Sequence, residues 1–417
     1  MTTEHDKLLR SVDRPSRYIG DEFGLPPLLE NPGLRVALSF PDVYEVGMSH
    51  LGFRLLHAGL LELRDQGIQV ERVFLPWPDM QAQLTAQGLP LCTLEGQTPL
   101  TDMDLLGLSV AYELAYPAVL KMLDLAGIPR LAADRAAAPE SYPLVLLGGS
   151  AALNPEPLAP FVDLVFLGEA DRGLPELVQT LAACADAPRK QQLEQLGALP
   201  GIYVPEWVEV THAPDSLALE VTCHRPGYLP VRRQVMEDLD NLPVPPLHLV
   251  PGCALIHDRV VVEIQRGCSQ GCRFCQAGYV SRPTRQRSEQ QVKDEARRQL
   301  AQTGYQDLSL LSLSAGDHPR LMPMLAGLIA EHGPANVGVS LPSLRTETLD
   351  PEVAQEIGKV RKTTFTLAPE AATDRLRRVI NKQNTEQDLL DAVEGVIRSG
   401  YNRMKLYFMM ALPTETD

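Results

Sequence analysis

Five short apolar runs punctuate the first 171 residues: LRVALSF at 34–40, ERVFLPW at 71–77, DLLGLSV at 104–110, PLVLLGGS at 143–150 and VDLVFLGEAD at 162–171. Between them lie segments with helical apolar spacing, among them MSHLGFRLLHAGLLELRDQG, AYPAVLKMLDLAG and residues 174–186. Apolar strands alternating with amphipathic helices predict a parallel sheet covered on both faces. The fold class is therefore α/β, with an N-terminal doubly wound domain that carries ligands at the carboxyl ends of its strands.

A second alternation begins at 259. Its strands are RVVVEIQ, DLSLLSLSA, NVGVSLPSL, KTTFTLAPE and RMKLYFMMALPTE. Four helices separate them: RSEQQVKDEARRQLAQTG, segments near 319–332 and 350–358, and one long helix over 373–398. Five βα-type strands predict a partial barrel. An apolar strand left at an open edge invites pairing with other chains, so a sixth unit is expected in sequence beyond Asp417. Between the two alternations, LPGIYVPEWVEVTHAPDSLALEV reads as short strands, and the proline-rich DLDNLPVPPLHLVPGC continues no helix. The expected division is 1–200 for the N-terminal arm and first domain, 201–255 for a connector, and 256–417 for the partial barrel.

A net charge of −15 argues against non-specific nucleic-acid binding. No uncharged apolar run is long enough to span a bilayer, and the N-terminus lacks a signal-peptide core. The expected location is the cytoplasm, with no membrane partner. Seven cysteines, an odd number in a long chain, do not form the dense framework of a secreted disulfide protein. Three of them cluster in RGCSQGCRFCQAG at 266–278: Cys268, Cys272 and Cys275, in a C-x3-C-x2-C array directly after a strand. Thiolates so spaced suit zinc or an iron–sulfur cluster. Structural zinc normally takes a second ligand pair, and His257 lies a whole strand upstream. A cubane held by three cysteines leaves one iron open to a substrate or cofactor. Gly267 and Gly271 are expected to give the loop the tight path that aims its three sulfurs at one point. Cys92, Cys184, Cys223 and Cys253 are scattered and read as ordinary thiols.

The C-x3-C-x2-C array after the first strand of a βα series resembles the radical SAM superfamily. The resemblance implies a [4Fe-4S] cluster on Cys268, Cys272 and Cys275, with S-adenosylmethionine chelating the fourth iron. It also implies reductive cleavage to a 5′-deoxyadenosyl radical. Phe274, before the third cysteine, matches an aromatic position near adenine. Ala315-Gly316-Asp317 is similar to the superfamily turn that holds the methionine amine, through Gly316 and Asp317. Ser340, Arg345 and Glu370 stand at later strand ends where superfamily members place polar contacts to S-adenosylmethionine. Arg282, Arg285 and Arg287 are able to hold carboxylate or phosphate groups, or form the solvated opening of a helix capped by Ser288. An electron donor such as a flavodoxin or ferredoxin is implied, together with a substrate that the sequence does not specify.

The N-terminal domain resembles the cobalamin-binding domain of B12-dependent radical SAM enzymes, which makes cobalamin a candidate cofactor. The family's D-x-H-x-x-G motif is matched by Gly47-Met48-Ser49-His50-Leu51-Gly52, where Ser49 occupies the cobalt-ligand place and His50 falls one residue late. Ser109, Gly148 and Gly149, at the ends of the third and fourth strands, are the candidate cobalamin contacts. RYIGDEFG, PDVYEVGMSHLG, HDRVVVEIQRGCSQGCRFCQAG, LAPEAATDRLRRVINK and LPTETD together resemble a little-characterised bacterial family of radical SAM proteins with an N-terminal B12-binding-like domain. Members of that family run on past 417. The expected function is radical modification of an unidentified substrate; the alternative is a non-catalytic iron–sulfur protein that docks a partner. The scattered cysteines lack the spacing of the second cluster in methylthiotransferases.

Overall fold

The computed structural model describes residues 4–139, 141–212, 219–242, 249–342, 344–349, 351–362 and 364–416. The chain divides into two compact units, 1–236 with 243–256, and 237–242 with 257–417.

In the first unit, β1 (Leu34–Phe40), β2 (Ile68–Phe74), β3 (Leu105–Ser109), β4 (Leu144–Gly148), β5 (Leu164–Phe166) and β6 (Ile202–Tyr203) form one sheet in the order β2-β1-β3-β4-β5-β6. All pairings are parallel except β5 with β6. Side chains alternate across the pleat. Leu34, Val36, Leu38 and Phe40 enter one apolar core, and Ala37 enters a second core on the opposite face. Helices Leu51–Leu61 and Gly173–Ala183 bury apolar residues in the first core, and Tyr116–Ala126 does so in the second. The direction of strand order reverses between β1 and β3, the kind of crevice where ligands bind in open α/β sheets.

The stretch expected to begin a connector at 201 instead continues this unit. Ile202 and Tyr203 are buried and complete the sheet edge, and Gly168 bridges to Gln234. β7 (Val208–His212) and β8 (Leu219–Cys223) form an antiparallel pair. Short edge strands carry little periodicity, and residues 243–248 of the proline-rich stretch lie outside the described residues.

In the second unit, β9 (Val260–Glu263) is followed by a two-residue strand β10 (Gln265–Arg266), which pairs antiparallel with β11 (Arg285–Gln286). β12 (Asp307–Leu311) pairs in parallel with β9 and with β13 (Gly338–Ser340). β14 (Phe365–Glu370) and β15 (Met404–Phe408) form a second parallel pair, and Leu344 bridges to Leu367. The five expected strands are present, and no closed barrel forms among the described residues. Helices Glu289–Thr303, Leu321–His332, Pro351–Gly358 and Glu386–Arg398 supply the covering layer of a single apolar core. Ser288 caps the first of these, accepting the Gln291 N–H.

The long helix expected over 373–398 is two helices, Asp374–Val379 and Glu386–Arg398. Asn381 between them takes a left-handed backbone (φ 56°), which interrupts an α-helix. The second helix restarts at a reciprocal capping box between Thr385 and Asp388.

Candidate functional site

The cysteine loop leaves the sheet after β9, and the β10–β11 pair closes its base. Gly267 and Gly271 both take positive φ, 83° and 70°, as the tight path requires. A side chain at Gly267 would place its Cβ 2.6 Å from the Pro283 carbonyl oxygen and 2.7 Å from that of Ser281. Arg285 fixes the same two carbonyls, donating to Pro283 at 2.9 Å and to Ser281 at 3.0 Å. Arg282 donates to the Gly278 carbonyl and lies 4.7 Å from the Tyr279 ring centroid, and Arg287 pairs with Glu295. These three arginines, two-way candidates by sequence, brace the loop and the helix that follows it.

Cys268, Cys272 and Cys275 are free, half-buried thiols on this frame. Burial pushes the Cys272 thiol up; Lys382 and Arg345 pull it down, and Cys275 and Cys268 push it up again. The Gly278 N–H donates to the Cys275 sulfur at 3.3 Å. Among the described residues no three His, Cys, Asp or Glu side chains converge tightly enough for a single metal ion. Three thiolates without a second ligand pair fit a cubane, in which each thiolate takes its own iron, better than a mononuclear zinc.

A second segment grips the loop from 110 residues away in sequence. The Asn381 side-chain amide donates to the Gly271 carbonyl at 2.8 Å, and Tyr279 Oη donates to the same oxygen at 3.0 Å. The Arg273 N–H donates to the Ile380 carbonyl at 3.0 Å, and its guanidinium to that of Val379. Lys382, buried, lies 3.5 Å from Glu370. Asn384 is 2% exposed, and neither side-chain amide atom has a partner among the described residues. The sequence reading missed Asn381, Lys382 and Asn384. The usable signal was Thr385-x-x-Asp388, a capping pattern that announces a fresh helix and hence a loop before it.

The other candidate residues of this unit fall as follows. Asp317 ends a short 3-10 turn, Ala315–Asp317, and accepts from Gln270 in the cysteine loop at 2.8 Å. Gly316 must be glycine, because a Cβ there would meet the Thr348 hydroxyl at 2.1 Å. Arg345 is buried and paired with Glu347. The Ser340 hydroxyl donates to the Leu308 carbonyl on the neighbouring strand. Glu370 adopts φ 69° at a register shift in β14, a bulge that re-aims the strand end. Phe274 is 44% exposed.

In the first unit, Ser109 and Gly148 close β3 and β4 side by side in register. Gly149 has φ 95°, and a Cβ there would lie 2.3 Å from the Val110 carbonyl oxygen. His50 caps the helix Leu51–Leu61, its Nδ1 accepting the Phe53 N–H at 3.2 Å, and Ser49 donates to the Glu45 carbonyl at 2.6 Å.

Comparison with known proteins adds a family to this geometry. Residues 262–417 match the Radical SAM superfamily, and residues 52–205 match the N-terminal domain of radical SAM proteins. An uncharacterized protein, MJ0966 of Methanocaldococcus jannaschii, is 33% identical over 157 residues, 38% of this chain and 34% of its own. Among solved structures, the cobalamin-dependent S-adenosylmethionine radical enzyme OxsB, with aqua-cobalamin and S-adenosylmethionine bound, superposes with a TM-score of 0.60 at 16% identity. That match covers 91% of this chain and 49% of OxsB. The radical S-adenosylmethionine methyltransferase TsrM from Kitasatospora setae, with tryptophan substrate and a SAM analog bound, gives 0.57 at 14% identity, covering 92% of this chain and 68% of TsrM. The chain thus spans about a third of MJ0966 and about half of OxsB. It carries, in this order, a segment matching the N-terminal domain of radical SAM proteins and a segment matching the Radical SAM superfamily.

Proposed function

We propose that the second unit holds a [4Fe-4S] cluster on Cys268, Cys272 and Cys275 and, with S-adenosylmethionine, modifies an organic substrate by radical chemistry. The observation that carries this reading is the triad of free thiols on a loop braced at its base and centre, within the segment matching the Radical SAM superfamily. Such a cluster supplies, when bound and reduced, the electron that cleaves the sulfonium of S-adenosylmethionine to a 5′-deoxyadenosyl radical. The chain's own part is to position and exclude water. Lys382 and Arg345 place positive charge beside the thiolates. Gly316 and Asp317 present a turn to the methionine amine, with Gln270 coupling that turn to the cysteine loop. Ser340, Arg345 and Glu370 line the later strand ends, and Phe274 is exposed enough to cover a planar base. The electron donor is a small reductant of the flavodoxin or ferredoxin type. Anaerobic reconstitution is expected to load about four irons per chain. With dithionite and S-adenosylmethionine the loaded protein is expected to release 5′-deoxyadenosine, and Cys272→Ala to abolish both. Cleavage retained in Cys272→Ala overturns the reading. An intact cluster without 5′-deoxyadenosine favours the partner-docking alternative.

Cobalamin is the second proposed cofactor, taken by the first unit at Ser109, Gly148 and Gly149. His50 and Ser49 are both engaged within their own helix termini, which supports a cobalamin held without a protein ligand to cobalt. Titration with aquocobalamin tests this: His50→Ala is expected to bind it as wild type does, with an unchanged visible spectrum. A spectral shift on that substitution alone makes His50 a ligand.

A further inference from the structure

A cavity lies in the first unit, away from the β3 and β4 ends. Its volume is about 240 Å3, and it opens at the carboxyl end of β2, the edge strand. Leu8, Phe74, Met80, Leu84, Leu91 and Leu94 make much of its wall. Most of the polar side chains around it are engaged with protein. The Tyr44 hydroxyl donates to Glu22, and the Thr93 hydroxyl to Glu71 at 2.6 Å. Tyr18 Oη accepts the Trp77 N–H at 3.0 Å, and Arg17 pairs with Glu45 at 2.8 Å. Burial, then the nearby Asp102, push the Cys92 thiol up, so the wall gains no thiolate charge there.

A mostly apolar concavity of this size is the shape of a ligand site. A cavity of about 150 Å3 accommodates benzene; this one is larger by more than half. Two sequence motifs that the iron–sulfur reading leaves unexplained build its rim. RYIGDEFG supplies Arg17 and Tyr18, and PDVYEVGMSHLG supplies Tyr44, with Glu22 and Glu45 as the partners of Tyr44 and Arg17 behind them. The N-terminal arm crosses the opening. The Asp13 N–H donates to Asp79 at 2.9 Å, and the Arg17 guanidinium sits 4.7 Å from the Trp77 ring centroid.

We propose that this cavity is a binding site for an uncharged, compact apolar group the size of a fused bicyclic ring, of about nine or ten non-hydrogen atoms, enclosed by residues 5–18. Indole is the probe. Calorimetry on the full chain is expected to detect indole binding. Indole is also expected to slow alkylation of Cys92 by iodoacetamide, located by peptide mass, by about tenfold or more, leaving Cys223, which is not part of the wall, unaffected. Leu84→Trp fills the cavity and is expected to remove indole binding; Met80→Phe serves the same purpose if the first variant fails to fold. The proposal is overturned if saturating indole leaves the Cys92 rate unchanged, or if a folded filling variant binds indole as wild type does.

Discussion

Asn381 joins two parts of the chain that the sequence keeps 110 residues apart. It needs a left-handed backbone, and it offers a side-chain amide to the Gly271 carbonyl beside Cys272. These roles separate experimentally. Asn381→Gly keeps the backbone conformation at no steric cost and deletes the hydrogen bond. Its cluster is expected to lose iron to a chelator several-fold faster, a change of about 1 kcal/mol in loop fixation, while the far-ultraviolet circular dichroism stays as in wild type. Equal iron-release rates in the two proteins would refute a positioning role. At this scale the tight path at Gly267 and Gly271 was legible, because it is local and written in spacing. Asn381 and Lys382 were not. Their identity as partners depends on a tertiary contact, and an Asn-Lys pair after a helix also reads as an ordinary C-terminal cap.

Among elements, the two-helix break at 380–385 is the main departure from the periodicity. Both halves carry amphipathic spacing, so the apolar pattern runs through the break and reads as one helix. Capping chemistry decides against it. The Thr385 hydroxyl and the Asp388 carboxylate satisfy each other's backbone N–H groups. Thr385→Ala is expected to destabilise the second unit by about 1 kcal/mol, seen as a lower thermal midpoint of the apoprotein. Thr385→Ser is expected to restore most of it. If the alanine variant melts with wild type, the helix start is fixed by packing instead. The strands were legible almost throughout, since buried parallel strands are near-continuous apolar runs. The exception is β11, whose two residues are too few to show any period.

On the scale of the whole molecule, no helix among the described residues is long and apolar enough to cross a membrane. The acidic balance is distributed over a fold whose most deeply placed charges are paired. His57 is different: it is 1% exposed, and its Nε2 has no partner among the described residues. Burial, with Arg72 nearby, holds its pKa well below the ordinary 6.5. A depressed pKa means that the unfolded chain binds the proton first. The stability of the neutral state is therefore complete above pH 6.5 and is lost as pH falls below it toward the folded value. Thermal midpoints measured from about pH 8 down to about pH 5 are expected to fall less steeply for His57→Leu than for wild type. Parallel slopes would exclude His57 as the source.

Arg72 is wholly buried between Glu22 and Glu95, the latter 2.6 Å away. Glu22 lies thirty residues ahead of residue 52, where similarity to the N-terminal domain of radical SAM proteins begins. Anyone expressing that domain alone would naturally cut at the similarity boundary. Such a fragment discards β1 together with one of the two carboxylates that neutralise an interior guanidinium. Glu95 still pairs with Arg72, but the fragment loses the second ion pair and the strand that lies between β2 and β3. The segment recognised by sequence and the compact unit of the structure are thus different lengths of chain. A fragment of the first unit that starts ahead of Glu22 is expected to melt higher than one that starts at residue 52.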